Sequence, residues 1–167
     1  MRSPFLPYLW LAGVILVSLL AGKALAQEDP GKAKIGKIEV TVYFATNGDP
    51  EAAGERAEQV SASTRERLQR ESRLKFSHYR ALGADKQDIL RSYENWAQPL
   101  KPSDEILVRF ETRTQPTADS VSLDLELWLA RKKILKTDAL LRDGRPLFVL
   151  GPEWRGGRLI ISVALAR

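Results

Sequence analysis

The chain has 167 residues, no cysteine, one histidine, and 26 basic against 21 acidic side chains, for a formal net charge of +5. The absence of cysteine excludes disulfides, thiolate metal sites and cysteine nucleophiles, and a lone histidine argues against zinc. Whatever fold forms must be held by packing alone.

Arg2 is the only charge before the uncharged run Ser3 to Gly22, and Ala24 and Ala26 supply the small residues a signal peptidase requires. This is the layout of a secretory signal peptide over 1–26, cleaved after Ala26. If it stays uncleaved, residues 3–22 are long enough to anchor the chain in a bilayer. No cysteine follows the run, which excludes a lipid-anchored lipoprotein. The expected location is periplasmic or extracellular, with a membrane-anchored form as the alternative. Arg2 and Lys23 belong to this segment, so beyond it the net charge falls from +5 to +3. That excess is too small to indicate nucleic acid as a partner.

Residues 27–37, "QEDPGKAKIGK", are polar and read as a flexible tether ahead of a single domain over 38–167. Ile38, Val40, Val42 and Phe44 then alternate with Glu39, Thr41 and Tyr43, the period of a half-buried strand. "TNGDP" stops it, and Asp49 and Pro50 form a helix start. A helix is predicted from Pro50 to Arg73, with a narrow stripe of Ala53, Ala57, Val60, Thr64 and Leu68. Glu66–Arg70 and Arg67–Glu71 fall at i,i+4 on its opposite, solvated face.

From Leu74 onward the pattern is β throughout. "LKFSHYRAL" reads as a strand, "GADKQ" as a turn and "DILRSYENW" as the next strand; "QPLKPSDE" is a loop. "EILVRFETR" places Ile106, Val108 and Phe110 opposite Leu107, Arg109 and Glu111, and "TQPTADS" is a hairpin loop. In "VSLDLELWL", Val121, Leu123, Leu125, Leu127 and Leu129 face one way, while Ser122, Asp124, Glu126 and Trp128 face solvent. Turns at "ARKK" and "RDGRP" lead to "LFVL", and "RLIISVAL" closes the chain. The expected fold is therefore α+β: one N-terminal helix packed on a mainly antiparallel, curled or two-layer β-sheet of about seven strands.

Catalytic, cofactor and metal motifs are lacking. His78 neighbours Ser77, but adjacent strand residues point to opposite faces, and no nucleophile-elbow glycine pattern is present. Asp124 and Glu126 share a face with Cα atoms about 6.6 Å apart, yet Arg109 or Lys133 on neighbouring strands would make them ordinary cross-strand ion pairs. The tryptophans are the more distinctive feature. Trp96 lies beside a proline-rich loop, Trp128 on the polar side of its strand, and Trp154 in the glycine loop "GPEWRGG" with Arg155. These four residues are the candidate contact site for a partner or ligand. The loop itself is expected to run from a strand ending at Leu150 to one starting at Arg158, with Trp154 folded down as a lid.

The stretches "LKFSHYRALG", "ILRSYENWAQPLKPSDEILVRFE" and "LDLELWLARKKILKTDALLRDGRPLFVLGPEWRGGRLIISV" resemble a group of small exported bacterial proteins of unassigned function, over Leu74 to Leu165. The resemblance implies a signal peptide followed by a compact β-rich domain, and supplies no catalytic or ligand residues. The leading functional expectation is an exported, non-enzymatic envelope protein that binds another envelope protein as an accessory or structural module. The alternative is a carbohydrate- or peptidoglycan-binding module using surface tryptophans, and a hydrolase ranks third. No cofactor is expected.

Overall fold

A computed structural model of the chain describes residues 28–114 and 116–166. The predicted signal peptide 1–26 and the alternative anchor 3–22 lie outside these residues. Two antiparallel sheets pack face to face. One contains β1 (Lys34–Thr46), β2 (Glu58–Gln59), β3 (His78–Leu90), β8 (Leu147–Trp154) and β9 (Gly157–Ala166), in the order β2-β3-β1-β9-β8. The other contains β4 (Asn95–Ala97), β5 (Ile106–Thr112), β6 (Ser120–Leu129) and β7 (Lys132–Arg142), in the order β4-β5-β6-β7. Neither sheet closes into a barrel.

Strand alternation builds the core directly. Ile38, Val40 and Val42 of β1 and Leu159, Ile161 and Val163 of β9 are buried in one cluster with Ile106, Val108 and Phe110 of β5. Val121, Leu123, Leu125 and Leu127 of β6, Ala139 and Leu141 of β7, Ile89 of β3 and Ala97 of β4 complete it. Each fully buried aliphatic side chain stabilises the fold by about 1.5–3 kcal/mol before conformational entropy is counted.

The expectation of an α+β domain with an N-terminal helix and about seven strands is corrected here: the described residues are mostly β, with nine strands in the two sheets, and their one α-helix, α1, spans only Ala62–Arg70 between β2 and β3. The cap at Asp49 forms as expected, its carboxylate accepting from Glu51 N at 2.9 Å, but it opens only a 3-10 turn over Pro50–Ala53. Gly54, at φ +95°, then turns the backbone away. Glu58 and Gln59 pair with Ala81 and Arg80 before Ser61 caps α1 by accepting from Thr64 N. Sheet pairing thus interrupts the predicted helix. Leu68 of α1 packs with Ala45, Leu74, Tyr79 and Ile160 on the outer side of the five-stranded sheet. Tyr79 clamps the following turn, its hydroxyl donating to Leu74 O and accepting from Phe76 N. The expected i,i+4 ion pairs of α1 do not form: neither Glu66–Arg70 nor Arg67–Glu71 comes within bridging distance.

Three further boundaries shift for backbone reasons. The tether ends early, because Lys34 to Lys37 already pair along β3, and pairing uses backbone groups that polar side chains do not affect. "GADKQ" is not a turn but the middle of β3, where Leu82 is the extra residue of a bulge between the Val42–Gly83 and Tyr43–Ala81 pairs. A Cβ on Gly83 would overlap Pro99 O, so glycine here admits a close backbone approach. The buried Asp85 ties the same loop down, accepting from Gln98 N and Lys101 Nζ, each at 2.8 Å. Lastly, "GPEWRGG" is not a long loop. Gly151 and Pro152 form a bulge within β8, Trp154 pairs with Gly157, and only Arg155 and Gly156 make the turn. Both have positive φ, 47° and 76°, as a two-residue type I′ hairpin requires.

Gly157 sits where a Cβ would meet Ala45 O and Phe44 Cε2, each at 2.5 Å. Gly157→Ala is expected to lower the unfolding free energy by about 2 kcal/mol, read by chemical denaturation with unchanged slope. Pro152→Ala, at a bulge on an edge strand, is expected to change it by less than about 0.5 kcal/mol.

Candidate binding face

The outer face of the four-stranded sheet carries the polar half of the β6 alternation. Register places Arg109 opposite Glu126 and Glu111 opposite Asp124 on one side, and Lys136 opposite Glu126 and Asp138 opposite Asp124 on the other. The expectation that Asp124 and Glu126 face solvent is corrected: they are only 7% and 5% exposed. What covers them is the long side chains of their neighbours, whose apolar stems lie over the sheet.

Arg109 is the centre of this face. It binds Glu94 and Glu111 and lies 3.9 Å from both Asp124 and Glu126. Lys136 reaches Asp124 at 3.1 Å and Glu126 at 3.3 Å, and Lys133 reaches Glu126 at 3.2 Å. Arg113 adds a contact to Asp124 at 3.6 Å. Burial opposes ionisation of Glu126, but hydrogen bonds from Lys133, Trp128 and Lys136 outweigh it and hold its pKa below the ordinary value. Glu94 is likewise held low, chiefly by its hydrogen bond from Arg109. Asp124 Oδ1 is buried without a hydrogen-bond partner among the described residues.

Two of the four candidate contact residues meet on this face. Trp96 on β4 and Trp128 on β6 flank the Arg109 row, with ring centroids 5.9 Å apart and planes tilted by 55°. Each indole N–H is held by a carboxylate of the same network: Trp96 Nε1 donates to Glu94 and Trp128 Nε1 to Glu126 at 3.0 Å. Lys133 Nζ stands 5.5 Å from the Trp128 ring centroid. The Trp96 side of the pair is open, at 36% exposure. Sequence reasoning named Arg109 as a cross-strand partner of the β6 carboxylates but missed Glu94, which lies in a loop and reaches β5 only through the fold.

The other two candidates lie elsewhere. Trp154 belongs to the five-stranded sheet and packs edge-on against Phe44, centroids 5.5 Å apart, as the lid reading anticipated. Arg155 stacks on Trp154 at 4.4 Å and donates to Ala52 O. Together they fasten the β8–β9 turn to the Pro50–Ala53 turn and form no cluster with Trp96 and Trp128. His78 is exposed at the start of β3, on the opposite sheet from Asp124 and Glu126. The three groups a hydrolase would need therefore do not converge. Among the described residues no cluster of acidic or histidine side chains is placed to hold a metal ion, and no helix is long and apolar enough to cross a membrane. No family model, curated protein or solved structure matches the chain.

Arg109→Met should leave Glu126 and Asp124 under-compensated and cost about 3 kcal/mol of stability, measured by denaturant unfolding. Acid should act on this network and, separately, on Asp85 of β3. The folded chain holds Glu126 and Asp85 below their ordinary values of 4.5 and 3.8. In that range the unfolded chain therefore binds more protons, and stability should be complete above about pH 5 and fall as the pH drops toward about 3. Glu126→Gln should flatten that decline in a series of melts across this range.

Proposed function

We propose that this protein is an exported, non-enzymatic envelope module that binds another envelope protein through the Trp96–Trp128 pair. The observation that carries the reading is the preparation of that pair. Both indole N–H groups are satisfied by carboxylates of the protein itself, so the rings are oriented before binding and what they offer outward is apolar face. Preorganised aromatic surface loses little side-chain entropy when covered, and tryptophan is the residue most enriched among interface hot spots. The surrounding Glu94, Arg109 and Lys133 supply a polar rim.

A glycan is the second reading, and it rests on the same rings. A tilted pair of indoles fits the apolar faces of successive sugars along one twisted chain better than a flat crystalline surface. The two readings differ in what quenches or crosslinks at Trp96.

A photo-crosslinker in place of Trp96, in cells expressing the full chain, should yield one reproducible protein adduct. Trp128→Ala should weaken it by about 2 kcal/mol, or roughly 30-fold in affinity. The same crosslinker at His78, on the opposite sheet, should yield none. Titration with soluble cell-wall fragments should leave tryptophan emission unchanged; a saturable shift lost in Trp96→Ala would favour the glycan instead.

A further inference from the structure

The outer side of the five-stranded sheet is covered only in part by α1 and the Ser72–Leu74 turn, and the register defines what lies beside them. Thr41 of β1, Ser162 of β9 and Phe148 of β8 fall in one row across the strands, and Tyr43, Ile160 and Leu150 fall in the next. No bulge interrupts either row, and residues two apart along a strand share a face. Ile160 is buried with Leu68 and Leu74. Ser162 and Ala164 of the middle strand are small and stand between the larger Tyr43 and Phe148, so the face carries a trough along β9. The trough has two arms of unlike chemistry. One, of about 190 Å³, is polar, with Thr64 and Arg67 of α1 beside Thr41, Tyr43 and Ser162. The other, of about 470 Å³, is lined by Leu74, Leu147, Phe148 and Leu150. Pro146 and Phe148 line both arms, which therefore meet.

We propose that this trough binds a single-chain amphiphile with an acidic head, such as a fatty acid, its carboxylate on Arg67 and its chain running over Phe148 to Leu150. Charge complementarity selects the head. Arg67 is exposed and makes no ion pair or hydrogen bond among the described residues. Its planar fork matches a carboxylate with two parallel donors. Glu39, the acid of the polar arm, is drawn to Lys86 at 3.7 Å, and Glu71 and Arg73 stand exposed at the apolar arm as one charge of each sign. Burial pushes the Tyr43 phenol above its ordinary value, against the pull of Thr41 and the charge of Arg67. The phenol therefore keeps its proton and can donate to the same head. The apolar arm selects the chain. Leu150 is 36% exposed there, and the volume lies in the ordinary range of small-molecule clefts, about 300–1,000 Å³. From Tyr43 to Leu150 is two strand spacings, about 10 Å, which one alkyl chain of medium length covers. The trough is on the opposite sheet from the Trp96–Trp128 pair and does not depend on what that pair binds.

The full chain, expressed with its own N-terminal segment and isotope-labelled, is titrated with decanoate, decanol and decyltrimethylammonium, each kept below micelle formation. Binding is read from amide shifts by nuclear magnetic resonance. Decanoate should give saturable shifts at Thr41, Tyr43, Ser162 and Phe148, decanol weaker ones, and the cationic probe none. Arg67→Ala, a change at an exposed position, should leave the melting temperature unaltered. It should weaken decanoate roughly tenfold, as the loss of a hydrogen bond to a charged group implies, and leave decanol unchanged. Leu150→Asn should weaken both probes, and Trp96→Ala should alter neither. Absence of saturable decanoate shifts at the four trough residues overturns the proposal. Equal binding of the acidic and cationic probes also overturns it, as does a decanoate affinity untouched by Arg67→Ala, because both describe partitioning onto apolar surface without a site for the head.

Discussion

Contact between the inner faces of the two sheets is the constraint from which the rest of this molecule follows. No disulfide is available, and the one short helix covers only part of one outer face. Stability therefore rests on the seam where Ile38, Val40 and Val42 of β1 and Leu159, Ile161 and Val163 of β9 meet the apolar sides of β5 and β6. Period-two alternation means that committing one face of each strand to this seam commits the other face outward. Asp124, Glu126 and Trp128 are on the outer surface of β6 because Leu123, Leu125 and Leu127 are in the core.

That outward commitment creates an electrostatic problem, and the network around Arg109 resolves it. Two carboxylates two residues apart on one strand, with Asp138 opposite Asp124 on the next, would repel if left as neighbours. Arg109, Lys133, Lys136 and Arg113 close over them, and their stems bury the carboxylates more deeply than an outer sheet face ordinarily does. The same contacts fix Trp96 and Trp128 through Glu94 and Glu126. Support of the sheet and preparation of the aromatic pair are thus one arrangement.

Glycine and turn chemistry do the remaining shaping at close quarters. Gly83 admits Pro99 against β3, Gly157 admits β1 against the final hairpin, and Arg155 with Gly156 returns the chain in two residues. Close backbone approach or turn geometry accounts for each of these glycines. Their reason is the distance between backbones, which the local sequence around each does not express.

Alternation along β1, β5, β6 and β9 was legible from the residues alone, because side-chain period and burial are local properties of a strand. The inward residues named from "VSLDLELWL" are, from Val121 to Leu127, the buried ones, and the cross-strand partners Arg109 and Lys133 were nameable from spacing. The cap at Asp49 was equally local. What the tertiary structure alone decided is how far each element runs and what covers its outer face. The Pro50–Arg73 helix breaks because Glu58 and Gln59 find β3, the apparent turn at Gly83 straightens because β1 pairs along it, and Asp124 and Glu126 are buried by side chains from other strands. Trp96 and Trp128 meet, and Trp154 does not join them, because pairing order places the first two on one sheet and the third on the other. Long-range pairing supplies backbone hydrogen bonds that outweigh local preference, and a single strand's sequence carries no record of its neighbours.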